Sequence, residues 1–127
     1  RGNELKYVNW RAYLPASFST EIIFSAQAMK EALKKLCQKY PCYVRLEVER
    51  GKIKLRCKNE KGDFEEAIIS AEVKGDPIKI AFEGIYLRQM VNVFSGEVLL
   101  KINHPYRPAL FQKDNVVWVV MPVFVGQ

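Results

Sequence analysis

The sequence predicts an α+β domain in which a strand-helix-strand-strand-strand unit occurs twice, with two helices packed on one face of a curved antiparallel sheet. Three observations lead there. Apolar residues recur at helical spacing in two separate stretches, and each stretch is followed by segments of strand length that alternate or run apolar. The strand before each helix carries a matching motif, Ile22-Ile23-Phe24 and Ile80-Ala81-Phe82, and the same order of elements follows both, which marks an internal duplication. The chain closes on Val116-Val117-Trp118-Val119-Val120-Met121-Pro122-Val123-Phe124-Val125, a run without charge or alternation that predicts a central strand covered on both faces.

Residues 1–19 read as an irregular interdomain lead-in, aromatic at Tyr7, Trp10 and Tyr13 and interrupted by Pro15. The domain proper is expected over 20–127, with repeat one at 20–74 and repeat two at 75–127. Thr20 to Phe24 reads as a strand, and Ser25 is a good N-cap for a helix over about Ala26 to Lys39, where Ala26, Met29, Leu33 and Leu36 form the apolar stripe. Tyr40-Pro41 ends it. Tyr43 to Val48 alternates, turns at Arg50-Gly51 and returns as Ile53 to Cys57, a hairpin, and Glu66 to Val73 makes a further strand after the turn at Gly62. Ile78 to Phe82 opens the second unit. A helix over Tyr86 to Phe94 stops at Ser95-Gly96, and Val98 to Ile102, Pro108 to Gln112 and Val116 to Met121 are its three strands. Met29, Leu33 and Leu36 correspond to Leu87, Val91 and Phe94. A helix with a single apolar stripe has one face to bury, which places both on the same side of the sheet. Pro122 removes a ladder donor, so strand pairing is expected to stop there and the chain to run on as an extended tail.

The chain of 127 residues suffices for one core without metal or disulfide support. A formal charge of +6 favours a polyanionic partner. No uncharged run approaches the roughly 20 residues of a membrane-spanning helix, and no signal peptide is visible. The first residue is arginine, so the chain reads as a piece of something longer or as a chain from which a tag was removed. Cys37, Cys42 and Cys57 form neither a CxxC pair nor a metal spacing with the single histidine, and their odd number fits buried thiols in a reducing cytoplasm. His104 stands in a turn beside Pro105 with no ligand or triad partner at suitable spacing. Phosphate-loop, dinucleotide, zinc-protease and hydrolase motifs are all missing. The expectation is a protein that is not an enzyme and takes no cofactor or metal.

Several stretches together resemble the third and last domain of the bacterial DNA sliding clamp, the beta subunit of DNA polymerase III. They are Trp10-Arg11-Ala12-Tyr13-Leu14-Pro15 in the lead-in, Met29-Lys30-Glu31-Ala32-Leu33-Lys34 in the first helix and Val44-Arg45-Leu46-Glu47-Val48 in the first hairpin. Phe82, Tyr86-Leu87, Arg107-Pro108-Ala109-Leu110 and Val119-Val120-Met121-Pro122-Val123 continue the likeness, which spans nearly the whole chain. The resemblance implies the DNA-clamp fold and a cytoplasmic processivity factor whose chains self-associate into a ring around double-stranded DNA. It also implies docking of linear peptides from the replicative polymerase and clamp loader. Carried onto this sequence, the third domain's share of the peptide pocket is Val8, Tyr13, Tyr86, Pro108, Val119, Val120, Met121 and Pro122. Lys30, Lys34 and Lys35, with Arg88, would face DNA without reading its sequence.

Three departures accompany the likeness. Glu83 stands where the family usually has an asparagine N-cap, and Val8 and Ala12 replace a usual proline and a usual basic residue. The link Gln38-Lys39-Tyr40-Pro41-Cys42 is shorter and more polar than the leucine-rich turn that helps close the ring in the family, so closure on that face needs other contacts. The rival expectation is a free-standing basic domain that binds nucleic acid without forming a ring.

Overall fold

A strand runs straight into a helix at Ser25, and this junction recurs in the second half of the chain. The computed structural model describes residues 18–38, 42–59 and 61–124. Strand β1 (Thr20–Ser25) leads into helix α1 (Ala26–Leu36), whose first turn is held by Ser25 Oγ accepting from the Ala28 amide at 3.2 Å. The helix stops three residues before Lys39, its expected end, because Cys37 leaves helical geometry at φ −110° and ψ 69° and is held by a disulfide to Cys42. β2 (Tyr43–Glu49) and β3 (Lys52–Lys58) form the predicted hairpin, turning at Gly51 with φ +79°. β4 (Phe64–Gly75) is longer than predicted at both ends.

The second unit repeats the plan with β5 (Ile78–Glu83), α2 (Gly84–Val93), β6 (Glu97–Ile102), β7 (Ala109–Lys113) and β8 (Val116–Val120). Helix α2 starts two residues earlier than its apolar spacing indicates, and Glu83 at its N-cap makes no side-chain capping bond. The longer Glu83 side chain thus leaves the helix's first amides without a side-chain acceptor.

The eight strands form one antiparallel sheet in the order β5-β2-β3-β4-β1-β6-β7-β8, and both helices lie on one face of its curled surface. The units exchange their first strands. β1 pairs with β6 of the second unit, and β5 pairs with β2 of the first. β4 joins the halves, since Phe64 to Ser70 pair with β3 and Ala71 to Gly75 run on to pair with β1. Gly75 sits at φ +102°, where a side chain would meet the Ser19 carbonyl.

The duplication predicts an equivalent extension of β8 onto β5. Among the described residues it is cut short: β8 ends at Val120, and only the Val123 amide reaches across, donating to the Ala81 carbonyl at 2.8 Å. Neighbouring residues of an extended chain point their amides to opposite sides, so Pro122, next to Val123, lacks a donor on the β7 side. The terminal run is therefore an edge strand and not the central strand its apolarity predicted. Its hydrophobic residues divide accordingly, with Val119 and Val120 buried while Val116, Met121 and Phe124 are exposed.

The core lies between the helices and the sheet. Met29, Leu33, Leu87 and Met90 are fully buried against Ile22, Leu46, Leu55 and Leu100. Phe24 and Phe82, at matching positions in the two units, both contact Phe111, with ring centroids 6.3 Å and 5.8 Å away. One phenylalanine on β7 thus couples the leading strands of both repeats, and aromatic pairs of this kind add about 1 kcal/mol beyond area burial.

Candidate functional site

The seam between the two ends of the sheet carries the most distinctive surface. After Val120 the chain leaves β8 through Met121-Pro122, bonds to β5 at Val123 and exposes Phe124. A groove of about 220 Å³ opens there. Arg45, Lys79, Ile80 and Ala81 form one wall, and Pro105, Tyr106, Val123 and Phe124 the other. The second wall carries a row of tilted aromatic contacts: the His104 ring centroid lies 5.4 Å from that of Tyr106, and Tyr106 lies 5.6 Å from Phe124. His104 acts within its own turn, its Nδ1 accepting from the Tyr106 amide at 3.1 Å. The turn histidine thus holds in place an aromatic ring that no motif or periodicity in the sequence singles out.

On the β2 and β5 side the outward positions are charged. Lys79 stands opposite Glu47, and Arg45 opposite Ala81. Arg56 Nη1 approaches Glu47 Oε2 at 3.4 Å, and its Nε lies 2.8 Å from Glu66 Oε2. Glu47 is itself largely buried, so this row orders the outer face, although each exposed pair is worth only about 0–1 kcal/mol. The groove can hold an extended chain with an apolar residue against Tyr106 and Phe124 and an acceptor toward Lys79.

The residues expected to wall a peptide pocket fall on and around this edge. Val119 is buried opposite Leu110, and Val120, opposite Ala109, is fully buried in the core. Pro108 is buried just before β7, Pro122 and Tyr86 are half-buried, and Met121 is 48% exposed. Val8 and Tyr13 lie outside the described residues. None of the described wall residues is among those lining the groove. They adjoin it through the tail, and it is Val123 and Phe124 that enter it.

The lysines of α1 separate by their position around the helix. Lys30 and Lys34, one turn apart, share a flank. Lys30 is half-buried and Lys34 exposed. Lys35 is turned to the other side, where its Nζ donates to the Glu66 carbonyl at 2.9 Å. Arg88 is half-buried on α2.

The structure also brings together what spacing kept apart. Cys37 and Cys42 are disulfide-bonded, and Cys57 lies 3.0 Å from Cys42 through their sulfurs. All three are buried, as expected, but Cys37 and Cys42 are bonded and not thiols, because the C-cap of α1, the residue before β2 and an inward position of β3 converge on one buried point. Among the described residues no helix is long and apolar enough to cross a membrane.

Comparison with known proteins agrees with this architecture. The family described as DNA polymerase III beta subunit, C-terminal domain, matches residues 11–124. The beta sliding clamp of Pseudomonas putida is 27% identical over 126 residues, which cover 93% of this chain and 34% of that protein. Among solved structures, the DNA polymerase III beta subunit of Thermotoga maritima superposes with a TM-score of 0.84 at 16% identity, covering 94% of this chain and 34% of that one. A Bartonella birtlesii sliding clamp bound to griselimycin gives 0.81 at 23% identity, covering 93% and 34%. The chain thus spans about a third of the length of the relatives it matches. With the duplicated unit, the exchanged first strands and a match over nearly all its length, the chain belongs to the family of the C-terminal domain of the DNA polymerase III beta subunit, the bacterial sliding clamp.

Proposed function

We propose that this chain serves as the third domain of a sliding clamp, a processivity factor without catalytic activity of its own. In the assembled ring, α1 and α2 face duplex DNA, and the C-terminal edge receives linear peptides of polymerase and clamp loader. The observation that carries this reading is the break at Met121-Pro122. After β8 the described tail bonds to β5 at Val123 and leaves Met121 and Phe124 exposed, with Phe124 lining the mixed apolar and basic groove. Methionine adapts to several partner sequences, and backbone next to a proline remains open to pairing with an extended ligand. Val119, Pro108, Pro122 and Tyr86 are the described members of the proposed wall, Val120 anchors its strand in the core, and the lead-in's share, Val8 and Tyr13, lies outside the described residues. Lys30, Lys34, Lys35 and Arg88 supply positive charge that holds phosphates loosely enough for sliding.

The test is fluorescence anisotropy of a labelled peptide with a glutamine and a hydrophobic end, titrated with the full-length protein. Met121→Ala is expected to weaken binding about tenfold, the equivalent of about 1.4 kcal/mol. Equal binding by wild type and variant contradicts the pocket. The net charge of +6 favours a second reading, direct binding of nucleic acid without a ring. Tight, steeply salt-dependent binding to linear oligonucleotides supports that second reading, and negligible affinity for them supports a clamp that holds DNA topologically.

A further inference from the structure

Three sulfurs meet beneath the link that follows α1. Cys37, Cys42 and Cys57 are each at most 6% exposed, and their Sγ atoms all lie within 4.8 Å of one another. Cys37 and Cys42 form a disulfide with Cα atoms 5.7 Å apart, and the free thiol of Cys57 stands 3.0 Å from Cys42 Sγ. Gly84, the first residue of α2, closes the other side: its amide donates to the Cys42 carbonyl at 2.6 Å, and a Cβ there would lie 2.6 Å from Cys37 Sγ. The positive end of a helix whose N-cap side chain makes no capping bond therefore abuts the Cys37 sulfur.

We propose that these cysteines form a redox-active three-thiol site in which Cys42 is shared between two alternative disulfides, Cys37–Cys42 and Cys42–Cys57. The bridge first forms when two thiols give up two protons and two electrons to a small-molecule disulfide such as oxidised glutathione, which is reduced to two thiols. Exchange needs no further oxidant. The Cys57 thiol loses its proton to water and the thiolate attacks Cys42 Sγ. The Cys37–Cys42 bond breaks as the Cys42–Cys57 bond forms, and Cys37 leaves as a thiolate that takes up a proton. The α2 N-terminus favours that departing charge. Burial, and next the nearby Glu65 carboxylate, push the Cys57 thiol above its ordinary range, so the attacking species is scarce and the exchange slow. The same surroundings disfavour a metal. A disulfide plus a thiol is neutral, whereas three thiolates around a divalent ion leave a buried net negative charge beside Glu65. The two pairings differ in what they hold, since the first ties the end of α1 to the start of β2 and the second ties β2 to β3 and releases the helix.

The site is tested by equilibrating the full chain in glutathione redox buffers, quenching with acid, alkylating free thiols and mapping tryptic peptides without reduction. Lys39, Arg45 and Arg56 place the three cysteines on separate peptides. Both cross-linked pairs are expected in the wild type. Cys57→Ser should retain only Cys37–Cys42, and Cys37→Ser should convert wholly to Cys42–Cys57. A wild type that yields only Cys37–Cys42 in every buffer overturns the proposal, and this result does not depend on the variants folding. So does a reduced protein in which one equivalent of added zinc protects all three thiols from alkylation and suppresses both bridges.

Discussion

The Val123 amide donates to the Ala81 carbonyl at 2.8 Å, the one backbone bond from the tail onto β5 among the described residues. At the corresponding seam of the first unit, β4 lays Ala71 to Gly75 along β1 as a full ladder. The two seams of a duplicated fold thus differ in strength, and the weaker one is where the sheet's ends meet. Replacing Val123 with proline removes that donor. The expected loss is about 1 kcal/mol in urea unfolding, with the tail alone more accessible to proteolysis.

Phe111 touches Phe24 and Phe82 and has no exposed surface. Phe111→Ala should cost about 3–5 kcal/mol, because it opens a cavity where the two leading strands share a neighbour. Equilibrium denaturation followed by tryptophan fluorescence and by far-ultraviolet circular dichroism should give coincident transitions shifted to lower denaturant.

A side chain at position 84 has nowhere to go. In Gly84→Ala the new methyl meets Cys37 Sγ at 2.6 Å and the Cys42 carbonyl at 3.0 Å, so α2 must move away from the sulfur cluster. Overpacking of this kind costs about 1–3 kcal/mol. The melting temperature should fall further with the disulfide intact than after its reduction, since the bond fixes the atoms that would have to yield.

Lys30 and Lys34 share one flank of α1, away from the bond that ties Lys35 to β4. Converting both to glutamate in the full-length protein should shorten its residence on circular DNA severalfold at low salt and little at high salt, where screening already weakens the contact. Thermal stability should stay within about 0.5 kcal/mol of wild type, as expected for exposed or half-buried positions. Unchanged residence would argue against a DNA-facing role.

Much of this architecture is legible in the residues. Ile22-Ile23-Phe24 and Ile80-Ala81-Phe82 mark the leading strands correctly, and Met29, Leu33, Leu87 and Val91 mark the buried stripes of both helices. Periodicity reports which face of an element is covered. It does not report which strand covers a neighbour, so the exchange of β1 and β5 between units is not visible in it. The groove escapes the sequence for a related reason. Tyr106 reads as a turn residue and Phe124 as part of a buried strand, and only folding brings their rings into tilted contact 5.6 Å apart.

The duplication, the number and kind of elements, and the stop near Pro122 are all readable from the residues, because each depends on local geometry and on the spacing of apolar side chains. Tertiary structure decided that the apolar terminal run is an edge. An uncharged strand can be covered by neighbouring strands or left half-open beside a groove, and its composition is the same in both cases. It also decided that Cys37, Cys42 and Cys57 meet. Their separation along the chain carries no information about a point where a helix end, a strand start and the middle of a hairpin converge, and only the packing of α1 and α2 over the sheet brings the three sulfurs there.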